Sequence, residues 1–355
     1  MGKLKHLPLD LWPNTDHDAF ERAYVPSDIF DDTAGPGAHL MPGTRRMIET
    51  AYRRWLGFLK ANHPDDLLIA SAKRITKVRV RGFIEHISAE VRPTTVAIAI
   101  DNLCYAARLI APDEDWRWLK ALHARLQARA QPQDRFHLLV PPWQLLDRAM
   151  SLMDAAIDRP SSARKARELQ YRDGLILALL SLWPIRRRSI AAMTVSRHLA
   201  FDAAGIALQL YSEDTKSKRP ESFRLPDQLV PYFKHYLKES RPRLVGSRDH
   251  DGLWASYKGR PLSAACIYGI ARRLTAEAFG KPMALHDFRR GAATFVAMDA
   301  PEKVGLIPGL LQHLSPEVGD RHYNLARSTM ASRRHGATIS DIRNNLGPRL
   351  RPQKD

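Results

Sequence analysis

The sequence predicts a mainly α-helical protein in two parts, with one small antiparallel β-sheet set into the second part. Three observations predict this. From residue 44 onward, apolar residues recur at helical spacing through most of the chain. The stretch 199–212 instead alternates around Asp202-Ala203-Ala204-Gly205, the pattern of a β-hairpin. A polar stretch at residues 130–134 separates two helical series, and a chain of 355 residues exceeds a typical single domain.

Residues 1–43 are rich in Asp, Pro and Gly and carry 3 basic against 7 acidic side chains over residues 1–40. They read as a poorly structured acidic arm. Thr44 is placed to cap a first helix with Met47, Ala51, Trp55, Phe58 and Leu59 on one face. A second helix, over 72–90, is expected to bury Ile75, Val78, Phe83 and Ile87. Lys73, Arg74, Lys77, Arg79 and Arg81 are spread around it. Pro93-Thr94 opens a third, with Val96, Ile98, Ile100, Leu103 and Leu109. A fourth runs from about Glu114 through Trp118, Leu122 and Leu126, stopping near Pro132. Four short helices with short connections make a compact all-α domain.

Beyond the linker candidate, helices are expected over Pro142–Ile157 and 162–183. The hairpin and a further strand at 222–225 follow, joined by the Lys-rich turn Lys216-Ser217-Lys218-Arg219-Pro220. Helical pattern resumes at 227–239, 263–279, 285–298, 306–311 and 325–345. The domain expectation is therefore an arm at 1–43, a helical domain at 44–132, a linker at 133–140, a second domain at 141–345 and a basic tail at 346–355.

Net charge is +17 and the isoelectric point is near 10.1, which points to a polyanionic partner. The charge is uneven. Residues 1–140 hold 20 Lys and Arg against 17 Asp and Glu, whereas residues 141–355 hold 35 against 21. The phosphate-binding surface is expected in the second part. Cys104 and Cys266 are far apart among apolar residues and read as core thiols, which excludes a disulfide framework and a cysteine-based zinc site. The opening residues lack a signal-peptide core, and the longest apolar stretch, 175–185, is too short to span a bilayer. A soluble, cytoplasmic protein without membrane attachment is the expectation.

Four segments could carry chemistry, each with a bland reading beside it. Trp183-Pro184-Ile185-Arg186-Arg187-Arg188 ends an apolar helix, and its arginines could fork onto phosphate oxygens or simply be solvated. Thr215-Lys216-Ser217-Lys218-Arg219 places lysines on a turn, where one could donate a proton or merely meet water. His286-Asp287-Phe288-Arg289-Arg290 sits on a helix, so positions 286 and 289 are neighbours on one face. Leu310-Leu311-Gln312-His313-Leu314-Ser315-Pro316 precedes Asp320-Arg321-His322-Tyr323-Asn324. His313 could close a helix as a cap, whereas Tyr323 lies in a polar stretch that suits an exposed hydroxyl.

In order, these segments resemble the active-site set of the tyrosine recombinase (phage integrase) family. Pro-Ile-Arg-Arg-Arg-Ser-Ile-Ala-Ala-Met resembles that family's first arginine motif, which makes Arg186 the catalytic arginine with Arg187 and Arg188 beside it. Leu-His-Asp-Phe-Arg-Arg-Gly is similar to its His-x-x-Arg box, giving His286 and Arg289, with Arg290 adjacent. Leu-Leu-Gln-His-Leu-Ser-Pro resembles its Leu-Gly-His-Ser segment, giving His313. Arg-His-Tyr-Asn-Leu-Ala supplies the nucleophile, Tyr323. Lys216 matches the hairpin lysine, with Lys218 close enough to compete. The sequence departs from the pattern at Pro184 and Gln312, where the family has glycine. Tyr323 also follows His313 by ten residues, one more than in many members.

The resemblance spans about 44–345 and implies a four-helix, SAM-like core-binding domain followed by a mixed α+β catalytic domain. It implies site-specific DNA recombination through a 3′-phosphotyrosyl intermediate and a Holliday junction, without metal, ATP or other cofactor. Double-stranded DNA carrying recombination sites would be the partner, gripped also by Lys73, Arg74, Lys77, Arg79, Arg81, Arg187, Arg188, Lys218 and Arg290. A homo-tetramer on two DNA sites, accessory proteins and a bacterial, nucleoid-associated setting are further implications. A non-recombining DNA-binding relative and a type IB topoisomerase-like enzyme are the alternatives.

Overall fold

The computed structural model describes residues 6–26, 34–131, 136–160, 165–216, 218–299 and 303. The described chain is mostly helical, with one three-stranded antiparallel sheet. It divides into two compact units, Met1–Asp134 and Arg135–Asp355.

The first unit holds helices α1 (Asn14–Ala23), α2 (Pro42–Asn62), α3 (Ser71–Arg74), α4 (Lys77–Ser88), α5 (Pro93–Ile110) and α6 (Arg117–Arg129). Prolines at the first turn of α2 and α5 start them where a missing N–H is harmless. The core gathers Trp55, Leu56, Phe83, Ile87, Ile100 and Leu103. Along α2 the buried face runs through Ile48, Tyr52, Trp55 and Leu59, and Met47 is exposed. Trp55, Phe58 and Leu59 are thus buried as expected, whereas at the start of the helix Ile48 and Tyr52 take the inward places expected of Met47 and Ala51. Val78 and Ile98, expected inside, are also exposed.

The expected loose arm is instead part of this core over its described residues. Leu7, Trp12, Phe20 and Ala23 are buried, and the Trp12 and Phe20 rings each lie 5.3 Å from that of Tyr52. Asp16, fully enclosed, accepts from the Tyr52 hydroxyl at 2.5 Å and pairs with Arg74 at 2.5 Å. A short segment rich in Asp, Pro and Gly has few apolar residues, but helical spacing puts Asp16, Phe20 and Ala23 on one side of α1.

The expected single helix over 72–90 is two. Arg74 turns inward to Asp16 and also donates to the carbonyls of Ile69 and Leu67. The backbone leaves helical geometry at Ile75, and Thr76 caps α4 by accepting from the Arg79 amide.

The second unit begins with the helix pair α7 (Pro142–Ile157) and α8 (Ala166–Leu182), followed by short helices α9 (Arg187–Ala192) and α10 (Val195–His198). Strands β1 (Leu199–Asp202), β2 (Gly205–Leu210) and β3 (Glu221–Arg224) form the sheet in that order, all antiparallel. Leu199 pairs with Leu208, and Leu208 with Phe223. Gly205 supplies the positive φ that closes the hairpin.

A continuous helical stretch follows: α11 (Val230–His235), one π turn over Tyr236–Ser240, and α12 (Arg241–Val245). The last described helices are α13 (Ala264–Phe279) and α14 (Leu285–Asp299). The core centres on the apolar second half of α8, whose Leu175, Ile176 and Leu179 meet Phe233, Tyr236 and Trp254 in one cluster. Cys104 is buried as expected, but Cys266 is exposed, on the first turn of α13 where Ser263 caps the helix. Among the described residues no helix is long and apolar enough to cross a membrane. The expected helices at 306–311 and 325–345 lie outside the described residues.

Candidate active site

Four separate segments of the second unit meet at one cleft of about 540 Å³, lined by Ile185, Arg186, Arg187, Lys216, Tyr268, Ala284, Leu285, His286 and Arg289. Four of the six expected catalytic residues are in that set: Arg186, Lys216, His286 and Arg289. His313 and Tyr323 lie outside the described residues.

Local sequence explains each placement. Pro184 ends α8, because it has no N–H to continue the ladder and restricts the residue before it. The chain then runs extended through Arg186, which is the N-cap residue of α9. Trp183 stacks on Phe223 of β3, with ring centroids 5.0 Å apart and planes 16° from parallel, joining this turn to the sheet. Lys216 sits exposed on the connection between β2 and β3. His286 and Arg289 are one turn apart at the start of α14, whose first turn is fixed by Asp287: its backbone amide donates to the Ala284 carbonyl and its carboxylate accepts from the Ala284 amide.

Arg289 is buried, and its guanidinium donates to the Pro184 carbonyl at 2.7 Å. This bond ties α14 to the arginine segment 105 residues away in sequence. Burial first, and then the nearby Arg186, push the Arg289 pKa down to about 10, while Glu221 opposes them. The side chain is still cationic at neutral pH. Glu221, at the start of β3, has its carboxyl pushed above the usual range by burial, while Arg186 and Arg289 pull it back. The cleft thus concentrates positive charge in a partly desolvated place, which favours a bound anion.

Tyr268 of α13 lies at the same cleft. Its hydroxyl accepts from Arg272 at 3.1 Å, and the guanidinium carbons of Arg187 and Arg272 lie 5.7 and 5.6 Å from its ring centroid. Nothing in the sequence order pointed to Glu221 or Tyr268. Each is a lone residue on its element, and only the fold brings it near the arginines.

Other expected contacts divide. Lys216, and not Lys218, lines the cleft; Lys218 is exposed with a left-handed φ of 57°. Arg188 is exposed and Arg290 half-buried, and neither lines the cleft. In the first unit, Lys73, Lys77 and Arg81 are exposed. Arg79 is engaged with Asp66 at 2.6 Å. Arg74, expected on a DNA-facing surface, is fully enclosed and committed to Asp16 and two carbonyls, because a buried carboxylate needs a buried cation. It is removed from the set of candidate contacts.

No protein-family model and no curated protein matches this chain. Among solved structures, the crystal structure of XerA recombinase aligns with 90% of this chain and 98% of its own, at 16% identity and a TM-score of 0.40. A likeness of that size leaves the functional reading to the residues of the cleft.

Proposed function

We propose that this protein cuts and rejoins DNA strands as a site-specific recombinase of the tyrosine type, with Tyr323 as nucleophile. One observation carries the reading: Arg186, Lys216, His286 and Arg289, chosen from the sequence by the resemblance of their order and neighbouring residues to one pattern, line a single cleft.

The chemistry follows from what a phosphodiester demands. It already bears a negative charge, and attack places more on its non-bridging oxygens. Arg186 and Arg289 supply fixed positive charge there, and Arg289 is held in place by the Pro184 carbonyl. His286, exposed at the mouth, takes the phenolic proton of Tyr323 as its oxygen bonds to phosphorus. The bond from phosphorus to the 5′ oxygen breaks, and Lys216 gives that oxygen a proton. His313 hydrogen-bonds the phosphate. The phosphotyrosyl ester conserves the energy of the broken bond, so a second strand's 5′ hydroxyl can displace Tyr323 without ATP. Double-stranded DNA with recombination sites is the substrate, and four protomers on two sites complete the exchange through a Holliday junction.

The test uses a suicide duplex whose nicked strand loses the leaving fragment and traps the intermediate. The expected result is a covalent protein–DNA adduct, abolished in Tyr323→Phe and kept in Tyr268→Phe. An adduct that survives Tyr323→Phe and disappears in Tyr268→Phe moves the nucleophile to α13. No adduct with the wild type on its own flanking DNA removes the proposal. Strand exchange between two sites separates a recombinase from a topoisomerase-like enzyme.

A further inference from the structure

A hydrogen-bonded strut links the segment that carries Arg186 to the segment that carries Lys216. Ser189 lies on α9, three residues after Arg186, and is buried. Its hydroxyl donates to the backbone carbonyl of Asp214 at 2.7 Å, two residues before Lys216. The Asp214 carboxylate accepts from the Tyr211 amide at 2.9 Å, which folds the short turn after β2.

The same carboxylate oxygen, Oδ2, also meets His198, a fully enclosed ring at the end of α10. The Thr194 amide donates to Nδ1 of His198 at 2.9 Å. An N–H pointing at Nδ1 requires that nitrogen to be the acceptor, so the ring proton is on Nε2 and is directed at Asp214, 3.2 Å away. Arg197 adds a cation 3.8 Å from the carboxylate. Finally, Thr215, buried next to Lys216, donates to the Arg219 carbonyl at 2.8 Å and accepts from the Arg219 amide at 3.2 Å, stapling the turn across its base.

Lysine on a surface turn ordinarily samples many positions. Here Ser189 holds the backbone at Asp214 and Thr215 bonds across to Arg219, so the residues just before Lys216 are tied to α9 and to the far side of the turn. We propose that Ser189, His198 and Asp214 are positioning residues that set Lys216 at the leaving-group side of the scissile phosphate, a role that rests on the proposed strand-cutting function. They touch neither substrate nor the reacting atoms. Their effect passes through the protonation of the departing 5′ oxygen, the one step that needs Lys216.

The prediction is specific because that step can be bypassed. In a duplex with sulfur in place of the bridging 5′ oxygen, the P–S bond breaks to release a thiolate. A thiol has a pKa of about 8.5, so its anion departs without a proton from the enzyme. Single-turnover adduct formation is measured on the oxygen and sulfur duplexes for the wild type, Ser189→Ala, Asp214→Asn and, as reference, Lys216→Ala. On the oxygen duplex, Ser189→Ala and Asp214→Asn are each expected to slow cleavage by about 10-fold or more, up to the roughly 10²–10⁴-fold that a general acid typically supplies. On the sulfur duplex both should return to within about 3-fold of wild type, as should Lys216→Ala.

The two variants strike different arms of the strut, and affinity for an uncleavable duplex checks that each is folded. Equal losses on both duplexes mean the residues only support the fold, and this overturns the positioning role. Wild-type rates on the oxygen duplex overturn it as well. If Lys216→Ala itself is not rescued by sulfur, Lys216 is not the proton donor and the inference falls while strand cutting stands. If the wild type forms no adduct with either duplex, the proposed function fails first.

Discussion

Replacing Asp16 with alanine tests whether the N-terminal segment is part of the first unit's core and whether Arg74 is a structural residue. The carboxylate is fully enclosed, and its two oxygens take the Tyr52 hydroxyl and the Arg74 guanidinium, both at 2.5 Å. Tyr52 is itself held far above its ordinary pKa, by burial first and by Asp16 second. Asp16→Ala leaves a guanidinium that is only 1% exposed without its counter-charge. Removing one partner of a buried ion pair costs about 3–5 kcal/mol. Arg74 keeps the Ile69 and Leu67 carbonyls, at 2.8 and 3.1 Å, which places the cost near the lower end, about 3 kcal/mol. In urea that is a fall of roughly 1–2 M in the midpoint of the first unit's transition, at about 1.5–3 kcal/mol per M. Asp16→Ala combined with Arg74→Met removes the stranded charge as well as its partner, so the double variant should lose less than the two single losses added together. Circular dichroism during urea titration reads all three variants. A midpoint within about 0.3 M of wild type for Asp16→Ala, or strict additivity in the double variant, refutes the buried-pair reasoning. The same variants bear on function. Arg74→Met should leave the salt dependence of DNA binding unchanged, whereas a phosphate contact would lower its slope by about one unit.

Lys73→Ala, Lys77→Ala and Arg81→Ala, on exposed residues, are each expected to lower that slope by up to about one unit if the first unit tracks the DNA backbone, read from binding isotherms at several salt concentrations. Arg289→Lys should reduce single-turnover cleavage by about 10²–10³-fold, since an ammonium cannot hold the Pro184 carbonyl and face a phosphate at once. Lys218→Ala should change cleavage by less than about 3-fold against a far larger loss for Lys216→Ala, because only Lys216 lines the cleft. An aromatic disulfide reagent should modify Cys266 quickly in the native protein and Cys104 only after unfolding, as Cys266 is exposed while burial encloses Cys104 and raises its pKa. Burial pushes the Asp214 carboxyl up, but the Tyr211 amide, His198 and Arg197 together hold it below its ordinary value. Its folded pKa is therefore depressed, so its contribution to stability is present above the unfolded value of about 3.9 and is lost as pH falls through the lower folded value. Asp214→Asn should accordingly flatten the acid-side decline in stability below about pH 4, measured by thermal melts across pH, and leave the slope between pH 5 and 8 unchanged.

What the sequence made legible, and what it hid, follow from the range over which each kind of information acts. The hairpin at 199–212 was readable because a period of two and an Asp-Ala-Ala-Gly turn are local, and β1 and β2 pair in that register. Arg186, Lys216, His286 and Arg289 were readable as a set because their order and neighbouring residues resemble a known pattern, although they meet across about a hundred residues of chain. Several failures share one physical type. Met47-Ala51 and Ile48-Tyr52 offer two apolar stripes on the same helix, and periodicity cannot choose between them. The choice is made by Asp16, Trp12 and Phe20, which close over Tyr52 from another segment.

Arg74 was read as a surface charge for the same reason, since nothing within one helical turn of it announces a buried carboxylate 58 residues earlier. Glu221, Tyr268 and the Ser189–Asp214–His198 strut were missed because each residue is ordinary on its own element and acquires a role only from a partner on another. The groups proposed to act on phosphate can be recognised by type, because their chemistry admits few substitutes. The groups that hold them need only the right donor or acceptor at the right place, so a serine hydroxyl, a histidine ring or a proline carbonyl serves, and only the three-dimensional structure shows which was used.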